Sequence, residues 1–371
     1  MSARPLSIVH GPNNVGNLPW VLSNEMKKLG HDSDVVVNFG TWLGYPADRV
    51  IGEYGDRSWT NVGRRLANGL AQPFRRDVLH CYFGRSFLSW EDLGDRNRWP
   101  LKDLALARRL GKRIVMTYQG CDARLAAESN RRNPVTMCKE GGCSAYANCV
   151  ASIDASRRAT IAAVDRLADL VLYVNPELGQ FLPRGSFLPY GNVDVEAIRP
   201  APAPVRERPL ILHAPSDPSI KGTPLITEAL EALRGEFDFE LRLVQGLPHE
   251  QAMALYREAD LLVDQVLAGW YGGLSVELMA MGKPVACYLR EEDLHVLPAG
   301  MRADLPLYRI DPRSLADDLR AVLSRRHEWA EAGRRSREFV LRWHDPAKLA
   351  RVLLRSYEEP GRYDEFLGGM R

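Results

Sequence analysis

Within residues 261–287, LLVDQVLAGWYGGLSVELMAMGKPVAC, glycines at 269, 272 and 273 precede a segment of helical character carrying one acid, Glu277. Glycine lets a loop lie close to a ligand. A helix starting directly after such a loop offers unpaired N–H groups and the positive end of its dipole to a phosphate. Gly272, Gly273 and Leu274 are therefore candidate phosphate or sugar contacts, and the Glu277 carboxylate is an acceptor for hydroxyl groups. By itself a glycine-rich strand-to-helix turn leaves a ligand site and a plain turn equally open. A second turn sharpens the choice: in KGTPLITEALEALR, Lys221 and Gly222 stand just ahead of a predicted helix, with Thr223 as N-cap and Pro224 in the first turn. A cation there adds charge to an anion site built from backbone. Otherwise Lys221 is a surface lysine.

Other candidates surround these two turns. Asp264 and Gln265 end the strand that enters the glycine-rich loop, and Trp270 and Tyr271 are placed to cover a sugar or base face, or else to cap a core. Near the amino terminus, HGPNNVGN puts Asn13, Asn14 and Gly16 at the carboxyl end of a strand, where open α/β sheets bind ligands. The segment contains no G-x-G-x-x-G, so a dinucleotide fingerprint is absent. His80 ends another strand, where a histidine is commonly a satisfied structural group, and Asp122 either faces an acceptor or closes a turn.

The elements that must position these residues alternate between short β-rich runs and helical periods. Leu6–Val9, Asp34–Val37, Val78–Cys81, Arg113–Thr117 and Leu170–Val174 predict one parallel, doubly wound sheet. Leu210–His213, Leu241–Val244, Leu261–Val263 and Val285–Tyr288 predict a second. Leu18, Val21, Leu22, Met26 and Leu29 form an apolar helical stripe that Asn17 can cap and Gly30 can end. The proline-rich run RPAPAPVRERP marks a linker, so the expected organisation is a lobe over 1–198, a linker over 199–209, a lobe over 210–345 and a terminal segment over 346–371.

Composition sets outer bounds. At 371 residues, with 45% hydrophobic and 26% charged residues, the chain suits two globular domains. The net charge of +2 argues against a polybasic nucleic-acid binder, although the part before residue 198 is mildly basic, which leaves an anionic acceptor or peripheral contact with a membrane surface open. No apolar segment reads as a signal peptide or membrane span, so a cytoplasmic location is expected. Four of six cysteines, Cys121, Cys138, Cys143 and Cys149, crowd one region at a spacing that matches no standard zinc finger. A metal or disulfide cluster and simple thiols are both open, with thiols preferred.

Read in order, LPYGNVDVEAIRP (188–200), LHAPSDPSIKGT (212–223) and GGLSVELMAMGKPV (272–285) resemble the motif series of retaining glycosyltransferases of the family-4 type. The resemblance extends more loosely to HGPNNVGN, DVLHCYFGRS (77–86) and MTYQGCDAR (116–124). It implies the GT-B fold: two Rossmann-like α/β lobes facing each other across a cleft, with the last helix crossing back to the first lobe. It implies a hexosyltransferase that uses a nucleotide-diphosphate sugar as co-substrate, needs no cofactor or metal, and acts by front-face displacement on an unidentified acceptor. By the same resemblance, Lys221 contacts the donor pyrophosphate, Glu277 the ribose, and Gly272 and Gly273 let backbone amides approach the sugar or phosphate, while Asp122 fits an acidic position of the first lobe. The residues' own positions add Gly16, Gly222, Leu274 and, as replacements for missing family groups, Asp264 and Trp270 to the donor side, and Asn13, Asn14 and His80 to the acceptor side. The acceptor class stays open between small molecule, glycan and lipid-linked compound.

This chain departs from the family's pattern at three places. The family's first acid would fall at Gly269, the arginine partnering the lysine near Pro215-Ser216, and the first-lobe histidine of T-x-H is Gln119. Gln119 joins Lys221 and Glu277 at the catalytic positions, but an amide can hydrogen-bond a sugar hydroxyl and cannot serve as a general base. These losses keep two alternatives in view: a degenerate GT-B protein that binds nucleotide sugar or glycan without transfer, and a GT-B sugar-nucleotide epimerase.

Overall fold

A computed structural model describes residues 4–41, 44–201, 206–247 and 249–370, so part of the expected linker, 202–205, lies outside the described residues. Two compact units emerge. The first is drawn from Met1–Arg124, Ala155–Val193 and Pro346–Arg371, the second from Leu125–Asp154 and Asp194–Asp345.

In the first unit β1 (Ser7–Gly11), β2 (Asp32–Val37), β3 (Arg49–Val50), β4 (Val78–Tyr82), β5 (Arg113–Tyr118), β6 (Leu170–Tyr173) and β7 (Ser186–Phe187) form a parallel sheet in the order β3-β2-β1-β4-β5-β6-β7. The five runs predicted from sequence are all strands. The two-residue strands β3 and β7 carry too few residues to show a period, and only pairing defines them. β4 and β6 are buried along their whole length, as expected for strands covered on both faces. The helix Leu18–Lys28 turns Leu18, Val21, Leu22 and Met26 inward and stops before Gly30, whose φ of 87° is the left-handed geometry of a helix terminus. Asn17 itself takes a left-handed φ of 62° and its side chain makes no capping bond, which corrects its expected role. Helix Pro346–Glu358 belongs to this unit and packs on Leu18–Lys28.

The second unit holds β8 (Leu210–His213), β9 (Glu240–Leu243), β10 (Leu261–Val263), β11 (Val285–Cys287) and β12 (Tyr308–Arg309), parallel in the order β12-β11-β10-β8-β9. Residues 125–154, grouped with the first lobe on sequence, take their core contacts here: Ala126, Val135, Met137 and Cys138 share a buried cluster with Ile226, Leu230, Val266 and Leu267. The Asp154 carboxylate closes that insertion by accepting the N–H groups of Ala126 and Ala127, each at 2.9 Å. Thr223 is the first residue of helix Thr223–Ala232 and not its cap; Gly222, at φ 78°, precedes it. No helix among the described residues is long and apolar enough to cross a membrane.

Close packing also fixes a small residue in helix Trp329–Trp343. A Cβ on Gly333 would lie 2.0 Å from the carbonyl oxygen of Gly282, the residue that ends helix Gly273–Ala280. Gly333→Ala is expected to lower stability by about 2 kcal/mol through overpacking, against the roughly 1 kcal/mol that alanine ordinarily adds to a helix. Urea denaturation measures the sign, and an unchanged or raised midpoint contradicts this packing.

Candidate functional site

The strand order of the second unit reverses at β8, which lies between β10 and β9. Chains leaving the carboxyl ends of β8 and β10 therefore turn to opposite faces and open a crevice between them, the usual ligand position in open α/β sheets. Lys221 lies on the segment after β8, and Asp264 directly ends β10.

These two residues meet. Lys221 Nζ donates to Asp264 Oδ1 at 3.2 Å, while Asp264 Oδ2 accepts the Gly272 N–H at 3.0 Å and the Ser275 hydroxyl at 2.6 Å. Asp264 is only 1% exposed. Burial pushes its carboxyl pKa upward, but the Lys221 charge and the bonds from Ser275 and Gly272 outweigh that, and the net shift is downward. A second link ties the loops through backbone, from the Val266 N–H to the Lys221 carbonyl at 3.0 Å. Space at this junction dictates two glycines. A Cβ on Gly222 would stand 2.5 Å from Val266 Cγ2, and one on Gly272 would stand 3.1 Å from Lys221 Nζ.

The helix Gly273–Ala280 begins at this cluster, with Gly272 extended ahead of it. Among the described residues the N–H groups of Gly273 and Leu274 have no acceptor, and both residues are half-buried. Glu277 follows one turn along the same helix, also half-buried. The loop thus combines an ammonium group, two open backbone donors and a carboxylate, the parts needed to hold a phosphate beside a hydroxyl-bearing group.

His213, at the end of β8, is a supporting residue that sequence reading passed over. One ring nitrogen, Nδ1, lies 2.8 Å from the Val263 carbonyl and Nε2 lies 2.9 Å from Thr223 Oγ1. A carbonyl can only accept, so Nδ1 carries the proton and the Thr223 hydroxyl donates to Nε2. Burial lowers the pKa of this imidazole, in keeping with a neutral ring joining β8, β10 and the start of the next helix. A histidine closing an apolar strand was the available signal.

Trp270 and Tyr271 have no accessible surface, so neither offers a face to a ligand in this conformation, contrary to the reading of them as a cover. Their rings pack 4.2 Å apart, Tyr271 OH lies 2.8 Å from His344 Nε2, and the Gln265 side chain donates to the Trp270 carbonyl. They form the floor of the loop. Gly269, where the resembled family has an acid, adopts φ 71°, and a Cβ there would lie 2.9 Å from Arg290 Cβ. Arg290 is buried, donating to Asp293 Oδ2 and to the Val135 carbonyl at 2.8 Å, which anchors the 125–154 insertion. An acidic side chain at 269 would require both an unfavourable φ and displacement of Arg290.

The first unit gathers a separate group after β1 and β5. Gly16 has φ 72°, and a Cβ on it would be 3.8 Å from Gln119 Oε1, so the turn lies over the Gln119 amide. Gln119 Nε2 is buried without a hydrogen-bond partner among the described residues. The Asp122 carboxylate accepts the N–H groups of Gln119, at 3.0 and 3.1 Å, and of Gly120, at 2.5 Å, closing the turn that carries the amide. Burial raises its pKa against those bonds. Asn13 and Asn14 are nearly buried, and Asn14 Nδ2 donates to the Pro46 carbonyl at 2.9 Å. His80 is not at a surface: Nδ1 meets Tyr357 OH at 2.8 Å and Nε2 meets Thr117 Oγ1 at 2.7 Å, with no exposed area. It ties β4 to β5 and to helix Pro346–Glu358, which is a core function. None of the six cysteines forms a disulfide, and no group of three or more metal-ligating side chains is present among the described residues.

No family model matches the chain, and no curated protein matches it. Solved structures do. Sucrose-phosphate synthase from Thermosynechococcus elongatus superposes with a TM-score of 0.60 at 13% identity, covering 96% of this chain and 99% of that one. The fold is that of GT-B glycosyltransferases. An alpha-glucosyltransferase in complex with UDP and a 13-mer DNA gives a TM-score of 0.57 at 9% identity, covering 95% of this chain and 100% of that one. Anabaena HepE in complex with UDP-glucose gives 0.55 at 12%, covering 95% and 100%.

Within this GT-B chain the Lys221–Asp264 pair makes a testable demand on stability. The folded Asp264 pKa is lowered, so its charged form contributes stability above the ordinary carboxylate value of about 3.9, and that contribution is lost as pH falls through the lower folded value. Lys221→Met is expected to cost about 3 kcal/mol near neutral pH by leaving a buried carboxylate without its cation. The gap to wild type should narrow below about pH 4, where the variant's Asp264 is protonated. Urea denaturation at both pH values measures it, and a gap independent of pH contradicts the pairing.

Proposed function

We propose that this protein is a retaining glycosyltransferase that moves a sugar from a nucleotide-diphosphate sugar to a hydroxyl acceptor without a metal. The observation that carries the reading is the junction of Lys221, the Gly272 loop and the head of helix Gly273–Ala280 at the switch point of the second sheet. UDP in one structural neighbour and UDP-glucose in another support a nucleotide sugar as the ligand class.

In this reading the donor diphosphate lies against the Gly273 and Leu274 N–H groups, with the Lys221 ammonium balancing the charge that grows on the leaving phosphate. Glu277 accepts hydroxyl donors of the ribose. With no carboxylate at 269, the donor sugar is held by groups other than the acid at that position in the resembled family. Gln119, whose amide donor is buried and open, is a hydrogen-bond donor for an acceptor hydroxyl and takes no proton. The leaving phosphate itself assists deprotonation of the acceptor in a front-face displacement.

Thermal shift against nucleotides and nucleotide sugars tests donor binding. A ligand at a hundred times its Kd stabilises by roughly 2.7 kcal/mol. Lys221→Ala and Glu277→Ala are expected to abolish most of that shift, and Lys221→Ala to slow turnover by about 10²- to 10³-fold. Unchanged binding and turnover in both variants would show that the assigned site is wrong.

A further inference from the structure

At the opposite, amino-terminal edge of the second sheet lies a cavity of about 660 Å³, within the range of about 300–1,000 Å³ typical of small-molecule sites. Arg206 precedes β8, Asp260 precedes β10 and Lys283 precedes β11, so their segments lie away from the carboxyl ends that carry Lys221 and Asp264. Helix Trp329–Trp343 supplies another wall.

Charge in this cavity is one-sided. Five of its lining residues are basic and two are acidic; Arg206 lies 3.7 Å from a Glu258 oxygen and Arg334 pairs with Glu331, whereas Lys283 and Arg337 have no acid partner among the described residues. The most constrained is Lys283, 1% exposed, whose Nζ donates to the Arg257 carbonyl at 2.8 Å and has no carboxylate in ion-pair range among the described residues. Burial brings its pKa down to about 8, with Asp260 opposing that shift and Arg206 adding to it. Asp260 directs one carboxylate oxygen to the Leu210 N–H at 2.7 Å. Among the described residues Arg337 has only carbonyl partners, those of Ile198, Ala280 and Val195, and no acid in ion-pair range. A buried cation without a counter-ion is costly, and an anion entering beside it removes that cost. The remaining wall is apolar, formed by Pro200, Pro284, Trp329 and Ala330.

We infer that this cavity is a second ligand site, separate from the loops around Lys221, for a small organic anion: a phosphate or carboxylate held by Lys283 and Arg206, with an apolar body against Pro200, Trp329 and Ala330. It stands on the second unit alone and does not depend on the glycosyltransferase reading.

Calorimetric titration of the full chain with phenyl phosphate, and with benzoate in a parallel arm, tests it. Saturable binding of either probe is expected, weakened at least tenfold by Lys283→Met, which keeps the apolar stem, and by the more exposed Arg206→Gln, while Lys221→Met leaves it unchanged. The circular dichroism spectrum of each variant verifies folding, and Arg206→Gln keeps the test open if Lys283→Met does not fold. Absence of saturable binding, wild-type affinity in both cavity variants, or loss in Lys221→Met would overturn the site. Inorganic phosphate binding as tightly as phenyl phosphate would overturn the apolar half of the assignment.

Discussion

The buried carboxylate of Asp264 is the constraint on which the candidate donor loop depends. One oxygen is committed to the Lys221 ammonium and the other to the Gly272 N–H and the Ser275 hydroxyl. A buried anion must be paired and hydrogen-bonded to be tolerated, so three separate chain positions are drawn to one point. Those positions are the segment after β8, the glycine-rich turn and the first turn of helix Gly273–Ala280. Lys221 is thereby held at the helix head. Among the described residues two of its three donors have no acceptor, and a phosphate can take them without breaking the Asp264 bond.

The glycines around this carboxylate follow from the same crowding. Gly222 is small because a Cβ there would clash with Val266, and a Cβ on Gly272 would press on the Lys221 ammonium at 3.1 Å. Gly269 combines a left-handed φ with the close approach of Arg290. Arg290 in turn fastens the 125–154 insertion through Val135. The absence of an acid at 269 is thus linked to an insertion distant in sequence.

Much of this was legible in the chain, because a strand buried on both faces is a continuous apolar run and announces itself locally. Leu210–His213 and Leu261–Val263 have the predicted bounds for that reason. Lys221 and the glycine turn were legible because left-handed backbone and helix starts depend on residues in immediate succession. What escaped depends on partners far along the chain. Asp264 read as a direct ligand contact, since nothing local shows that Lys221, 43 residues earlier, and Ser275 occupy it. Trp270 and Tyr271 read as a cover because glycines flank them, whereas His344 and the core beneath decide their burial. Asn17 and Thr223 had the right side chains for caps, but Asn17 is itself left-handed and Thr223 spends its hydroxyl on His213. The insertion 125–154 lacks any local feature marking it for the second unit; its core residues find partners there only in three dimensions.

In the proposed function the loops joined by Asp264 bind a nucleotide diphosphate through the head of helix Gly273–Ala280. Amide NMR during titration of isotopically labelled protein with UDP, and with other nucleoside diphosphates in turn, tests it most directly. One nucleotide is expected to give saturable shifts centred on Gly272, Gly273 and Leu274 and extending to Lys221 and Glu277. Saturable shifts confined to other parts of the chain, or none with any nucleotide, would contradict it.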